Sequence, residues 1–171
     1  MEAKTLFDFH NYLYELVSRN KLASEHDFLP CSCSGIGYLE EMLSTSRSSK
    51  AFVCVSDVTE DSTARKGGAW FKRRVFTVFI LHRYNTRSQD DYREKIGVCR
   101  ELFRQLHSRF ILDEHDLQND LAYLNVGDIR SRELGGQFLN GCTGLYFMLT
   151  VDEPIDLQYD ETEWEEKQAP D

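Results

Sequence analysis

No apolar run in this 171-residue chain approaches the roughly 20 residues needed to cross a bilayer. The start, MEAKTLFDFHNYLYEL, is acidic and amphipathic. It lacks the basic-then-apolar layout of a secretory signal, so a reducing, cytoplasmic place of synthesis is expected. The five cysteines, Cys31, Cys33, Cys54, Cys99 and Cys142, are odd in number and fit no disulfide framework. His26, Cys31, Cys33 and Cys54 form the nearest approach to a zinc set. However, a single residue separates Cys31 from Cys33 and no second pair exists, short of the usual ligand spacing. Gly35-Ile36-Gly37 lacks the rest of a dinucleotide fingerprint. Cys142 with His107 or His115 has no thiol-enzyme sequence around it. Glu40-Glu41 and the other acidic runs read as solvated faces rather than paired catalytic acids. No internal repeat is visible. These absences point away from enzyme, cofactor, metal and membrane functions, and none of the four is expected.

What is present centres on residues 74–110, RVFTVFILHRYNTRSQDDYREKIGVCRELFRQLHSRF, which read as a long strand, a turn and a long helix. Residues 75–81 are β-branched or aromatic, without Gly or Pro. Phe76, Val78 and Ile80 face one way; Val75, Thr77, Phe79 and Leu81 face the other. Two apolar faces describe a central strand covered on both sides. Ser88 followed by Asp91 fits a helix start. Tyr92, Ile96, Cys99, Phe103, Leu106 and Phe110 then recur at steps of four and three, the spacing of an amphipathic helix. The helix is expected to end near Phe110, with Arg104, His107 and Arg109 favourably placed in its last turn. Gly97 costs about 1 kcal/mol relative to Ala there, and is read as a point of close approach to the sheet.

Taken in order, residues 5–19 read as a helix with Thr5 capping toward Asp8 and an apolar face of Leu6, Phe9, Leu13, Leu16 and Val17. Residues 20–35 read as irregular, 36–46 as a short helix, and 51–57 as a strand. Residues 58–68 suggest a protruding, mobile loop ending in Gly67-Gly68, which joins the 51–57 strand to a long strand over 69–84 as a hairpin. After the long helix come an acidic connection over 112–120, a strand over 121–133, a glycine-rich turn, and a last strand over 145–151 ended by Pro154. The fold class is α+β: a small, mainly antiparallel sheet of two hairpins in a two-layer packing against one long crossover helix, with an N-terminal helix. The crossover is expected to be right-handed if its strands are parallel. Residues 1–154 form one domain, and 155–171 an acidic, mobile tail.

The formal charge of −9 conceals an asymmetry. Residues 64–110 hold twelve Lys/Arg and four Asp/Glu, a net +8, and the remainder of the chain is net −17. A basic middle on an acidic chain suggests an anionic ligand or complementary contact between copies. The basic, aromatic stretch ARKGGAWFKRR could also bind single strands by stacking and charge, although the acidic total opposes this.

The strand RRVFTVFILHRY, the turn NTRSQDD, the striped helix over 92–110, and the closing pair LAYLNVGDIRSREL and TGLYFMLTVDEP resemble the tail terminator and head–tail joining proteins of long-tailed bacteriophages. The resemblance covers roughly residues 5–154. The segment 34–49 and the acidic tail have no counterpart in it. It implies a ring of identical subunits at the end of a tail tube, touching tail-tube and head-completion proteins, with DNA only as passing cargo. It also implies assembly in the host cytoplasm and residence in the virion tail. The family brings no catalytic residues with it. A neighbouring copy would then cover the second sheet face; alternatively, the N-terminal helices cover it within one chain. The candidate interface residues are Arg65, Lys66, Trp70, Lys72, Arg73, Arg74, Phe79, Leu81 and Arg83. The competing expectation is a small cytoplasmic regulatory or binding protein, monomeric or dimeric, on the same core.

Overall fold

The computed structural model describes residues 6–135 and 141–165. Asp8 caps the first helix, α1 (Phe9–Arg19), by accepting a hydrogen bond from the Asn11 amide, so the start lies three residues beyond the expected Thr5 cap. Thr5 falls outside the described residues. Phe9, Leu13 and Val17, one turn apart, are the buried stripe. Asn20 closes α1 and caps α2 (Lys21–Glu25), accepting from the Ala23 amide at 2.8 Å. The stretch expected to be irregular therefore holds α2 and also β1 (Phe28–Cys33). Pro30 is accommodated within β1 because that strand lies at the sheet edge, where a missing N–H is tolerated. Helix α3 (Ile36–Thr45) and strand β2 (Ala51–Ser56) follow.

The expected mobile loop is instead strand β3 (Glu60–Lys66), joined to β4 (Ala69–Arg83) through Gly67-Gly68. Both glycines have positive φ, +56° and +86°, as a tight two-residue hairpin turn requires. Every β3 side chain is exposed, so apolar alternation gave no sign of the strand; backbone pairing with β4 defines it. Helix α4 (Gln89–Asn119) starts at Ser88, whose hydroxyl accepts from the Asp91 amide at 3.2 Å. It continues nine residues past the expected end at Phe110, through the supposed acidic connection. Asp113 explains the continuation: it is buried, it is paired with Arg109 one turn earlier, and it accepts from the Tyr12 hydroxyl at 3.0 Å. Arg104, His107 and Arg109 are therefore mid-helix, and the last turn has no basic residue. A Cβ on Gly97 would meet nothing within 4 Å, so no close approach to the sheet requires that glycine.

Strands β5 (Tyr123–Leu124), β6 (Arg130–Leu134) and β7 (Cys142–Ile155) complete a seven-stranded sheet, larger than expected. The expected strand over 121–133 is two short ones, and β7 runs through Pro154 to Ile155. The path is β1-β2-β4-β7-β5; β3 also pairs with β4, and β6 with β7. Among the described residues, only β1–β2 is parallel. The sheet is thus a long central ribbon, β4 against β7 from Trp70↔Ile155 to Arg83↔Cys142, with short strands along each side. Gly144 lies in this ribbon, where a Cβ would sit 1.9 Å from the Ile80 carbonyl oxygen, so the strands close only with glycine there.

Helices cover both faces, not one. On the first face, α1 and α4 bury Val53, Phe76, Val78, Ile80, Phe147 and Leu149. On the second, Leu39 and Leu43 of α3 bury Phe52, Cys54, Phe79 and Leu81. The expected two-layer packing is therefore three-layered over part of the sheet. No described helix is long and apolar enough to cross a membrane.

Candidate assembly surface

Alternation along β4 sorts the nine candidate interface residues. Phe79 and Leu81 are 3% and 0% exposed beneath α3, which removes them from any surface. Arg83 donates to the carbonyls of Ser49 and Leu43 and lies over the Phe52 ring, tying the end of α3 to the sheet. Arg74 is also internal. It pairs with buried Glu153, donates to the Phe7 carbonyl at 2.8 Å, and lies over Phe76. Glu153 in turn accepts from the Phe7 amide, so the pair clamps the chain entering α1 onto the sheet. These four side chains are internal because α3 and residue 7 occupy the places a neighbour would need.

The remaining five lie along the β3–β4 hairpin, three of them in ion pairs. Arg73 and Lys66 converge on Asp152, at 2.7 and 2.8 Å. The Arg73 hydrogen bond, helped by Lys66, holds the Asp152 carboxyl down at about 2. Lys72 pairs with Asp61 at 3.3 Å; a hydrogen bond from Thr59, and then Lys72, lowers the Asp61 carboxyl. Much of the basic stretch is thus neutralised by acids of the same chain, which opposes both the nucleic-acid reading and a contact driven by these cations alone. Arg65 has no acidic partner among the described residues, and Trp70 is 41% exposed.

Past the reach of α3 the second face is open. Val75 and Thr77 of β4 and Tyr146, Met148 and Thr150 of β7 are half-buried there, in a row across the ribbon. Arg130 and Arg132 of β6 stand across from Met148 and Tyr146, exposed and without an acidic partner among the described residues. Further along the same edge of β7, Tyr123 of β5 meets Phe71 edge-on at 6.1 Å. The result is an apolar strip flanked by free guanidinium groups. Sequence reading missed Arg130 and Arg132, although their i, i+2 spacing on a strand places both on one face.

The chemical constellations do not assemble. Cys31, Cys33 and Cys54 meet on the second face, and hydrogen bonding to Cys31 and Cys33 pushes the Cys54 thiol up. His26 lies on the opposite face beside His82, ring centroids 5.9 Å apart. Among the described residues no group of three or more His, Cys, Asp or Glu is arranged to hold a metal ion. His107 donates to the Val126 carbonyl at 2.8 Å on the α4 side, while Cys142 is buried on the other face. No protein-family model matches the chain, and no curated protein matches it.

Proposed function

We propose that this chain is a non-enzymatic structural protein of a phage or prophage. In this reading it forms a ring at the tail or head–tail junction and contacts tail-tube and head-completion proteins. Assembly takes place in the host cytoplasm, DNA passes through the lumen, and the ring stays in the virion tail. The observation that carries the proposal is the uneven cover of the sheet. The first face is roofed by α1 and α4, whereas the hairpin-side half of the second face keeps Val75, Tyr146 and Met148 half-exposed beside Arg130 and Arg132, which have no acidic partner among the described residues. An apolar strip with a polar rim is how protein contact surfaces are commonly built. The order of helix, hairpin, long helix and closing strands supports the resemblance to tail terminators. In that scheme β2 and β3 with β4, and β5 and β6 with β7, stand for its two hairpins.

A second reading has its own observation. Because α3 covers Phe79 and Leu81, and most hairpin cations are paired within the chain, a monomeric or dimeric regulatory or binding protein is also consistent with this fold. Light scattering over a concentration series, with negative-stain imaging alone and with tail-tube protein added, separates the two. Closed rings are expected. A monomer under every condition, tail-tube protein included, removes the first reading and leaves the second.

A further inference from the structure

The segment after β7 offers the complement of the open sheet half. Residues 156–165 leave the sheet at the hairpin end, where Ile155 pairs with Trp70. They carry Asp156, Asp160, Glu161, Glu163 and Glu165 and no basic residue. Asp160 caps a single 3-10 turn (Glu161–Glu163), accepting from the Thr162 amide at 2.9 Å, and Tyr159 stacks on Trp164 at 6.1 Å. Among the described residues, the hydrogen bonds of this segment run within it. Leu157, Tyr159 and Trp164 are 52%, 70% and 67% exposed. A compact aromatic pair is thus held out in solvent on an acidic background.

We infer that residues 156–165 of one copy dock on the hairpin-side half of the second sheet face of the next copy, Tyr159 and Trp164 on Met148 and Val75, the acids against Arg130 and Arg132. The two surfaces match in both kinds of chemistry. One has exposed aromatics with carboxylates, and the other has an apolar strip with unpaired guanidinium groups, which recognise carboxylates well. Aromatic anchors and arginines are the residue types that dominate contact energies. A tail that engages the next copy without reciprocal exchange makes a head-to-tail contact, the type that forms a ring when its rotation closes. This rests on the ring reading above and names the contact that builds it.

The test uses two variants of the full chain, with substitutions only at exposed or half-exposed positions and folding checked by thermal melts. The tail variant is Tyr159→Ala/Trp164→Ala; the face variant is Arg130→Glu/Arg132→Glu. Each alone is expected to lose self-association at least tenfold in light scattering. An equimolar mixture, which retains one intact tail and one intact face per pair, is expected to stop at heterodimers. Adding Glu161→Arg/Glu163→Arg to the face variant is expected to restore the ring. Rings from the tail variant at wild-type concentration overturn this inference and leave the ring reading standing. A wild-type chain that stays monomeric with tail-tube protein present overturns both.

Discussion

Glu153 is 5% exposed, and its carboxylate is held by Arg74 and by the Phe7 amide. Removing the guanidinium would leave that charge buried and unpaired, which typically costs 3–5 kcal/mol, or roughly half the stability of an ordinary domain. Arg74→Ala is therefore expected to lower the denaturation midpoint sharply, and Arg74→Met/Glu153→Leu to recover most of the loss. Equal losses in the single and double variants would count against the clamp. His82 sets the neutral end of the pH profile. It is buried, donates from Nδ1 to the Arg83 carbonyl at 2.7 Å, and burial lowers it from 6.5. Its folded state favours the neutral ring, so its contribution is complete above pH 6.5 and fades as pH falls toward its lower folded value. The lowered carboxyls of Asp61, Glu133 and Asp152 act later. Their contributions are complete above the ordinary carboxylate range and fade toward about pH 2, where Asp152 titrates. Urea midpoints measured against pH should therefore fall in two stages, and His82→Gln should remove only the upper one. A single fall confined to the carboxylate range would contradict the assignment to His82.

At the scale of elements, α4 shows what the sequence disclosed and what it hid. Its start at Ser88 and its apolar stripe were plain, because capping and 3.6-residue spacing are local properties. Its end was hidden, because Asp113 reads as solvated until Tyr12, a hundred residues away, supplies a partner. Strand β3 was hidden for the same reason: its residues are all exposed, and only the register with β4 makes them a strand. Both faces of β4 were legible as apolar from alternation, but not which helix covers each. Segment 36–46 read only as a short helix, whereas its packing on Phe79 and Leu81 decides how much sheet remains open. Of the candidate surface, Arg65 and Trp70 remain exposed without an ion pair among the described residues, and Arg74, Phe79, Leu81 and Arg83 serve the interior. Gly97 gives a test at this scale. Nothing lies within 4 Å of the added methyl, so Gly97→Ala should stabilise α4 by about 0.5–1 kcal/mol, seen as a higher melting temperature. A lower one would mean that the helix does approach the sheet closely at that point.

For the whole molecule, the ring proposal requires that the open half of the second face be filled by another copy. Met148 sits in that half and Met42, on α3, packs against the covered half, so the two methionines report the two situations. Methionine oxidation footprinting by mass spectrometry, on assembled and on dilute protein, reads both at once. The expected result is strong protection of Met148 in the assembled sample and ready oxidation on dilution, with Met42 unchanged. Equal oxidation of Met148 in both samples would contradict the account, because the strip would then stay open to water in the assembly it is said to build.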